Sequence, residues 1–327
     1  MSSTGRWGLS LVFVILSLLV SQCALFKKQD AMQGRSLKPK EVAKLQEAYD
    51  PVSAKPSPGV KEEMSPERRE ALGDLLLERR EYDGSLVHYM ELLKENPERA
   101  DIRYKVGVIL LLNGQTQAAR QELNAVLAAK PQMLDAREAL GLTYLEEKQY
   151  PQAIRTFQEV LSQDGTRVKT RHLLGIAYLA QDNPREAIRV MERATPQSSK
   201  NVAMLATLGQ AYLKVKDYNQ ALVYLKKGQS LAPDDKKINL NLGMALAGLK
   251  RYPEAFDAFL KAGDEAQAYN NIGVHYYLDG RYEEAAKCFE KALELRPTFY
   301  EEAKTNLQRA MEKMQESGKE PSGKEPI

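Results

Sequence analysis

A glycine recurs at a fixed interval along most of this 327-residue chain, and that interval constrains the fold more than any other feature. Gly73, Gly107, Gly141, Gly175, Gly209 and Gly243 stand 34 residues apart, and Gly273 follows after a shorter step of 30. Twelve residues after each glycine comes a small residue: Ser85, Ala119, Ala153, Ala187, Ala221, Ala255 or Ala285. Four further on is a bulky apolar one: Tyr89, Leu123, Phe157, Met191, Leu225, Phe259 or Phe289. Pro97, Pro131, Pro233 and Pro297 close four of the seven copies, and Gly165, Ser199 and Gln267 stand in the same place in the others. Self-similarity at this period marks a repeat array, in which each copy packs mainly on its neighbours.

Within each copy, apolar residues fall at helical spacing on both sides of a polar turn such as "EEKQYP" or "LDGRYE". The spacing predicts two short amphipathic helices per copy. Small residues let the pair approach closely, and the aromatics are expected to fill the space between successive copies. Proline then stops the second helix, because it cannot continue the hydrogen-bond ladder. Ser65 and Pro66 read as an N-cap and first helical position, opening the first copy. The four residues missing from the sixth copy amount to about one helical turn. They predict either a change of stacking angle between copies six and seven or a local trimming.

The period, the Leu-Gly-x-x-Tyr phrases (Leu140 to Tyr144, Leu174 to Tyr178, Leu208 to Tyr212), the alanine, the aromatic and the proline together resemble the tetratricopeptide repeat (TPR) family. That resemblance implies an all-α fold, a right-handed superhelical α-solenoid of about seven helix-turn-helix units. The repeats span 65–298, and 299–316 reads as a helix capping the stack.

In this family the first helices line a concave groove that takes a peptide. Carried over residue by residue, the groove positions here are Tyr104, Val108, Leu142, His172, Ile176, Gln210, Asn241, Met244, Asn271 and Val274. They describe a groove apolar in its middle, with amides towards its C-terminal end. Relatives that clamp a C-terminal carboxylate place Lys and Asn at fixed central positions. The corresponding residues here are Asp74, Val108, Leu142, Ile176, Gln210, Met244 and Val274, so that clamp is not expected. The groove is read as open to an amphipathic or extended apolar peptide, or as filled internally by the helix after Pro297.

The N-terminus carries one early charge, Arg6, an apolar stretch from Leu9 to Val20, and Cys23 directly after it. This layout resembles a bacterial lipoprotein signal, implying cleavage of 1–22 and acylation of Cys23. Gln22 departs from the Gly, Ala or Ser that the pattern places before the cysteine. Ala24, with no aspartate at that place, implies the outer membrane facing the periplasm. Two other readings stand beside it. Trp7 to Phe26 is an uncharged run of twenty residues, long enough to span a bilayer as an uncleaved anchor, and Lys27, Lys28 and Arg35 then favour a cytoplasmic solenoid. Simple secretion is the third. Residues 23–64 read as a tether with an end-to-end distance of roughly 35 Å, and 317–327, with its "SGKEPSGKEP" duplication, as a disordered tail.

Chemistry is not written into this chain. His88, His172 and His275 belong to copies one, four and seven, too far apart in a quasi-linear stack to share a metal. No Cys-x-x-Cys, His-Glu-x-x-His or Gly-x-Ser-x-Gly is present. Glu146–Glu147 and Glu283–Glu284 read as solvated, and Cys288 as a small apolar packing residue. The 47 basic residues are balanced by 44 acidic ones, which argues against a nucleic-acid partner. The charges read as a solvated surface with pairs one turn apart along single helices. The expectation is no enzyme, no cofactor, no metal and no small-molecule substrate, but a protein or peptide partner. The layout resembles envelope TPR lipoproteins, such as those that pilot type IV pilus secretins or dock peptidoglycan hydrolases, and implies a scaffold for an envelope machine. A membrane-anchored cytoplasmic adaptor for a chaperone or signalling complex is the alternative.

Overall fold

A computed structural model describes residues 64–193, 200–296 and 300–316, and in them the chain is all-α, with no strand. Two compact units divide within the fourth repeat. The first, ending at Ala180, holds α1 (Pro66–Glu78), α2 (Tyr82–Glu95), α3 (Ala100–Leu112), α4 (Thr116–Ala129), α5 (Leu134–Glu146), α6 (Tyr150–Gln163) and α7 (Val168–Ala180). The second, from Gln181, holds α8 (Pro184–Glu192), α9 (Val202–Lys214), α10 (Tyr218–Leu231), α11 (Lys236–Gly248), α12 (Tyr252–Ala262), α13 (Glu265–Leu278), α14 (Tyr282–Leu295) and α15 (Glu301–Glu316). The signal segment 1–22, the acylation candidate Cys23, the tether to residue 63, and the tail from 317 lie outside the described residues, as do Ser199 and Pro297.

Each repeat is a helical hairpin built around its glycine. A Cβ on Gly141 would lie 2.5 Å from Phe157, so only hydrogen lets the aromatic ring seat on the first helix. Ser85, fully buried, donates its hydroxyl to the Gly73 carbonyl at 2.8 Å, which explains a serine where the other copies have alanine. Tyr89, Phe157, Phe259 and Phe289 sit against the glycine of their own repeat, and Tyr89 and Phe259 also reach the next copy, at Ile102, Val106 and His275, as the sequence predicted. Other aromatics join copies as well: Tyr252 packs at a tilt on Tyr276, with ring centroids 4.3 Å apart, and Gln158 donates to the Tyr178 hydroxyl at 2.9 Å.

The turns inside the repeats are equally regular. Each first helix from α1 to α13 closes with a left-handed residue: Arg80, Gly114, Lys148, Asp182, Lys216, Lys250 or Gly280, all with φ between 60° and 77°. The amide of the next residue reaches back five positions, as from Glu81 to the Leu76 carbonyl at 2.8 Å, satisfying groups the helix end would leave open. Ser65 caps α1 by accepting from the Arg68 amide at 3.3 Å, with Pro66 at the first helical position.

Cores form between successive helices of each unit. In the first, Tyr89, Leu92, Ile102, Val106 and Ile109 pack together, and Leu123, Val126, Ala136 and Ala139 form the next cluster. In the second, Met204, Leu225, Ile238, Phe259 and Phe289 are all but fully buried. The four missing residues of copy six come out of the end of α12 and the connection after it. That helix has 11 residues where α10 has 14, and Asp264 caps α13 directly with a reciprocal bond to Gln267. The shortening is thus absorbed locally, at one helix end and one turn.

Candidate binding surface

In the first unit, the first helices of successive repeats are tied to one another by charges. Lys105 on α3 reaches Asp74 at 2.6 Å and Glu70 at 2.9 Å, both on α1. Arg99 adds a 2.6 Å contact to Glu70, and the Tyr89 hydroxyl donates to Asp74. Burial alone would raise Glu70, but hydrogen bonds from Arg99 and Lys105 outweigh it and hold the carboxyl below its ordinary range. One repeat on, Glu138 is 6% exposed and accepts from the Thr170 hydroxyl. Lys169 lies 3.2 Å from that carboxylate and Arg167 3.8 Å.

The expected apolar middle is therefore interrupted in this unit. Tyr104, Val108 and Leu142 are half-buried between these charge pairs, whereas His172 and Ile176 are buried outright, at 0% and 2% exposure. Those two offer no open surface to a peptide. Burial and the nearby carboxylates of Asp135 and Glu138 push the Tyr104 phenol up to about 12, so it remains a neutral hydroxyl at any physiological pH. The expectation of solvated carboxylates also needs correction. Glu147 is bound by Arg120 and Thr116 of the preceding repeat, and it is held below its usual range by those hydrogen bonds. Glu283 and Glu284 pair with Lys287 and Arg281.

The second unit has the same helical register and a different surface. Gln210 on α9 and Asn241 on α11 are buried, at 8% and 7% exposure, while Met244, Asn271 and Val274 are half-buried. Neither the Gln210 Oε1 nor the Asn241 Nδ2 has a hydrogen-bond partner, and the same holds for the Lys237 Nζ one turn before Asn241. Helix α15 packs on α14 and, less extensively, on α13. Asn306 donates to the Asn270 carbonyl at 3.1 Å, and Asn270 donates to Glu302 at 3.5 Å. The helix thus extends the series by one first-helix position; its packing partners are α14 and α13.

Family models described as tetratricopeptide repeat match residues 70–133, 113–168, 144–211, 206–265 and 266–299. The chain belongs to the tetratricopeptide repeat family. No curated protein sequence matches it. Among solved structures, the C-terminal part of a TPR protein from Cytophaga hutchinsonii is 20% identical, with a TM-score of 0.56, covering 72% of this chain and 98% of that one. A TPR protein from Parabacteroides merdae is 15% identical, with a TM-score of 0.54, covering 75% and 98%. Pseudomonas aeruginosa PilF is 20% identical, with a TM-score of 0.51, covering 65% and 96%. At these identities the likeness is one of fold.

TPR proteins are typically non-enzymatic scaffolds, and this TPR chain is a scaffold for protein–protein interaction. Among the described residues no group of His, Cys, Asp or Glu side chains could hold a metal ion. No described helix is long and apolar enough to cross a membrane. Cys288 is 2% exposed, and burial pushes its thiol up to about 12, so it packs as an apolar side chain and is not a nucleophile. His275, stacked on Phe259 at 6.0 Å, is driven down to about 4 by burial and is neutral at pH 7. Reading the sequence for groove positions missed Glu70, Lys105, Glu138, Lys169 and Lys237. The signal that finds the paired ones is opposite charge 31 residues apart, as in Asp74 and Lys105, and not one helical turn apart.

Proposed function

We propose that this TPR protein is an acylated scaffold of the bacterial cell envelope, anchored through Cys23 in the outer membrane and holding a protein partner on the periplasmic side. The observation that carries the reading is the order of parts along the chain. An apolar export-type stretch from Leu9 to Val20 ends at Cys23, some 40 residues of Pro- and Ser-containing tether follow, and only then does the repeat array begin at Pro66. An array of packed hairpins without catalytic groups has binding as its use, and a lipid at Cys23 would fix where the binding occurs.

The partner is read as a peptide-like segment of an envelope machine, laid along the first helices of the repeats. A type IV pilus secretin, a peptidoglycan hydrolase and a motility or secretion complex all suit the lipid-plus-array layout. Within the first unit the half-buried Val108 and Leu142 supply burial for such a segment; within the second, Met244 and Val274 do so, and Asn271 supplies an amide that could align it. The cytoplasmic adaptor is the second reading. It is supported by the twenty uncharged residues from Trp7 to Phe26 followed by Lys27 and Lys28.

Two measurements test the proposal together. Cells fed an alkyne-bearing fatty acid should label the wild-type protein and leave Cys23→Ser unlabelled. In-cell crosslinking with mass spectrometry should then recover envelope proteins, and recover fewer with Val108→Glu/Met244→Glu. Absence of label in the wild type, together with protection of the repeats from protease added to spheroplasts, would establish the cytoplasmic adaptor instead.

A further inference from the structure

Each repeat after the first stacks on the second helix of the repeat before it, and register shows which residues do so. In the second repeat Val106, Ile109 and Leu110 pack with Tyr89, Leu92 and Leu93 of α2. Further along, the position of Leu110 is taken by tyrosines with the same habit. Tyr178 accepts from Gln158 of α6, Tyr212 donates to Glu192 of α8, and Tyr276 packs on Tyr252 of α12. The corresponding residues of the first repeat are Leu72, Leu75 and Leu76. All three are leucine, yet no described helix precedes α1.

Those leucines are nonetheless shielded, at 5%, 4% and 2% exposure. They form a cluster of their own, apart from the one that α2 makes with α3, and the half-buried Met64 packs on it. The start of α2 covers part of Leu76, since a Cβ on Gly84 would lie 3.2 Å from that side chain. Leu72 and Leu75 call for a further apolar element on the outer side of α1, because an array held together by its neighbours needs its terminal repeats covered. At the other end α15 does this for α14, burying Ala303, Ala310 and Met314.

Met64 is where the chain arrives at this face, so the cover is to be sought in the 63 residues before it. Two stretches there are apolar enough. Leu9 to Val20 is apolar on all sides, which suits lipid. The stretch "PKEVAKLQEAYD", residues 39–50, is two-sided: Val42, Leu45 and Tyr49 fall on one helix face, and Lys40, Lys44 and Glu47 on the other. Pro39 suits a first helical position, and Pro51 a stop. Residues 51–63 then span up to roughly 43 Å when extended. Helix α1 is only about 20 Å long, so the chain has room to double back along it.

We propose that residues 39–50 form a helix lying on the outer face of α1, with Val42, Leu45 and Tyr49 over Leu72 and Leu75, where the later repeats have a preceding second helix. The array thus carries its own N-terminal cover, a property beyond the function proposed above. With Cys23 acylated, the free part of the tether shrinks to residues 24–38, and its end-to-end distance falls from roughly 35 Å to about 20 Å.

The test uses the purified full-length protein with the photoreactive residue benzoylphenylalanine replacing Gln46, at the edge of the apolar face, or replacing Val14 in a second preparation. Irradiation and mass spectrometry should join position 46 to the peptide 66–78. In a mixture of 15N-labelled and unlabelled protein, both halves of that crosslink should carry the same label. Separately, Val42→Asp/Leu45→Asp should speed hydrogen exchange of the α1 amides at least tenfold and leave α9 to α14 unchanged, whereas Lys44→Ala/Glu47→Ala should change neither. Mixed-label crosslinks would assign the cover to a second copy, and crosslinks to α1 from position 14 alone would assign it to the apolar stretch. Either result, no crosslink from position 46 to α1, or unchanged α1 exchange in the double aspartate variant would overturn the proposal. None of these readouts depends on a lipid or a partner, so their failure is distinct from failure of the envelope-scaffold reading.

Discussion

The two compact units share a backbone grammar and differ in how their first helices treat polar groups. In the first, Glu70, Asp74, Lys105, Glu138 and Lys169 answer one another across repeats. In the second, the Gln210 Oε1, the Lys237 Nζ and the Asn241 Nδ2 stand at matching register positions without a hydrogen-bond partner. The packing layer is nearly invariant, since a glycine under an aromatic or leucine side chain recurs in both. Function in a repeat protein is therefore to be sought where register partners stop matching, because a repeat that satisfies all its own polar groups has little left to offer a ligand.

The strongest way to break this comparison is to show that the cores differ as well. Phe157→Ala and Phe259→Ala each empty a fully buried ring site, and each should cost about 3–5 kcal/mol. Hydrogen exchange should localise the loss to the repeats around each substitution, since neighbours carry most of the contacts. Effects differing by more than a factor of two would mean that the units diverge in packing and not only in surface chemistry.

Opposite signs are expected from the polar sites. Glu138→Gln leaves Lys169 and Arg167 facing a neutral amide at a buried position and should cost about 2 kcal/mol by urea denaturation. Asn241→Leu removes an unsatisfied buried amide and should be neutral or stabilising by up to about 1 kcal/mol. If Asn241→Leu destabilises as much as Glu138→Gln, its amide has a partner after all, and the contrast between the units fails.

The second unit also carries a pH dependence that comes from burial and not from an ion pair. His275 is neutral in the folded state down to about pH 4, whereas in the unfolded chain it takes a proton near 6.5. A base whose folded pKa is depressed contributes its full share above the unfolded value, and that share is lost as pH falls from about 6.5 towards 4. Burial is the larger cause, and the neighbouring Asp279 opposes it. Stability at pH 4.5 should fall by roughly 1–2 kcal/mol more in the wild type than in His275→Gln. Parallel pH profiles would show that the ring is solvated when folded.

How much of this was legible follows from where each signal resides. The helical hairpins, the caps at Ser65 and the buried residues after each glycine were readable because period and small-residue placement act within one repeat. The inner face was less so. His172 and Ile176 share a register with Tyr104 and Val108, yet they are buried where those are half-exposed, and depth is set by neighbouring helices that a register position does not encode. Lys169 and Lys237 look alike as sequence; only what stands 31 residues before each, Glu138 or Ala206, separates a paired lysine from an unpaired one.

The smallest effect sharpens the comparison from the other side, by testing what the units have in common. Every hairpin turn needs a left-handed residue, supplied by Gly114 and Gly280 in two cases and by side-chain-bearing residues in the rest. An L-residue in that conformation costs about 1–2 kcal/mol relative to right-handed backbone, and glycine avoids the cost but loses more freedom on folding. Lys148→Gly in the first unit and Lys216→Gly in the second should therefore each stabilise by about 0.5 kcal/mol. Lys250→Gly should gain less, because its ammonium pairs with Asp279 at 3.1 Å. Gly114→Ala should cost about 1 kcal/mol by the same reasoning reversed. Equal gains at Lys148 and Lys216 would place the difference between the units in side-chain chemistry alone. A gain in one and a loss in the other would mean that the turns, and with them the angles between hairpin arms, have diverged too.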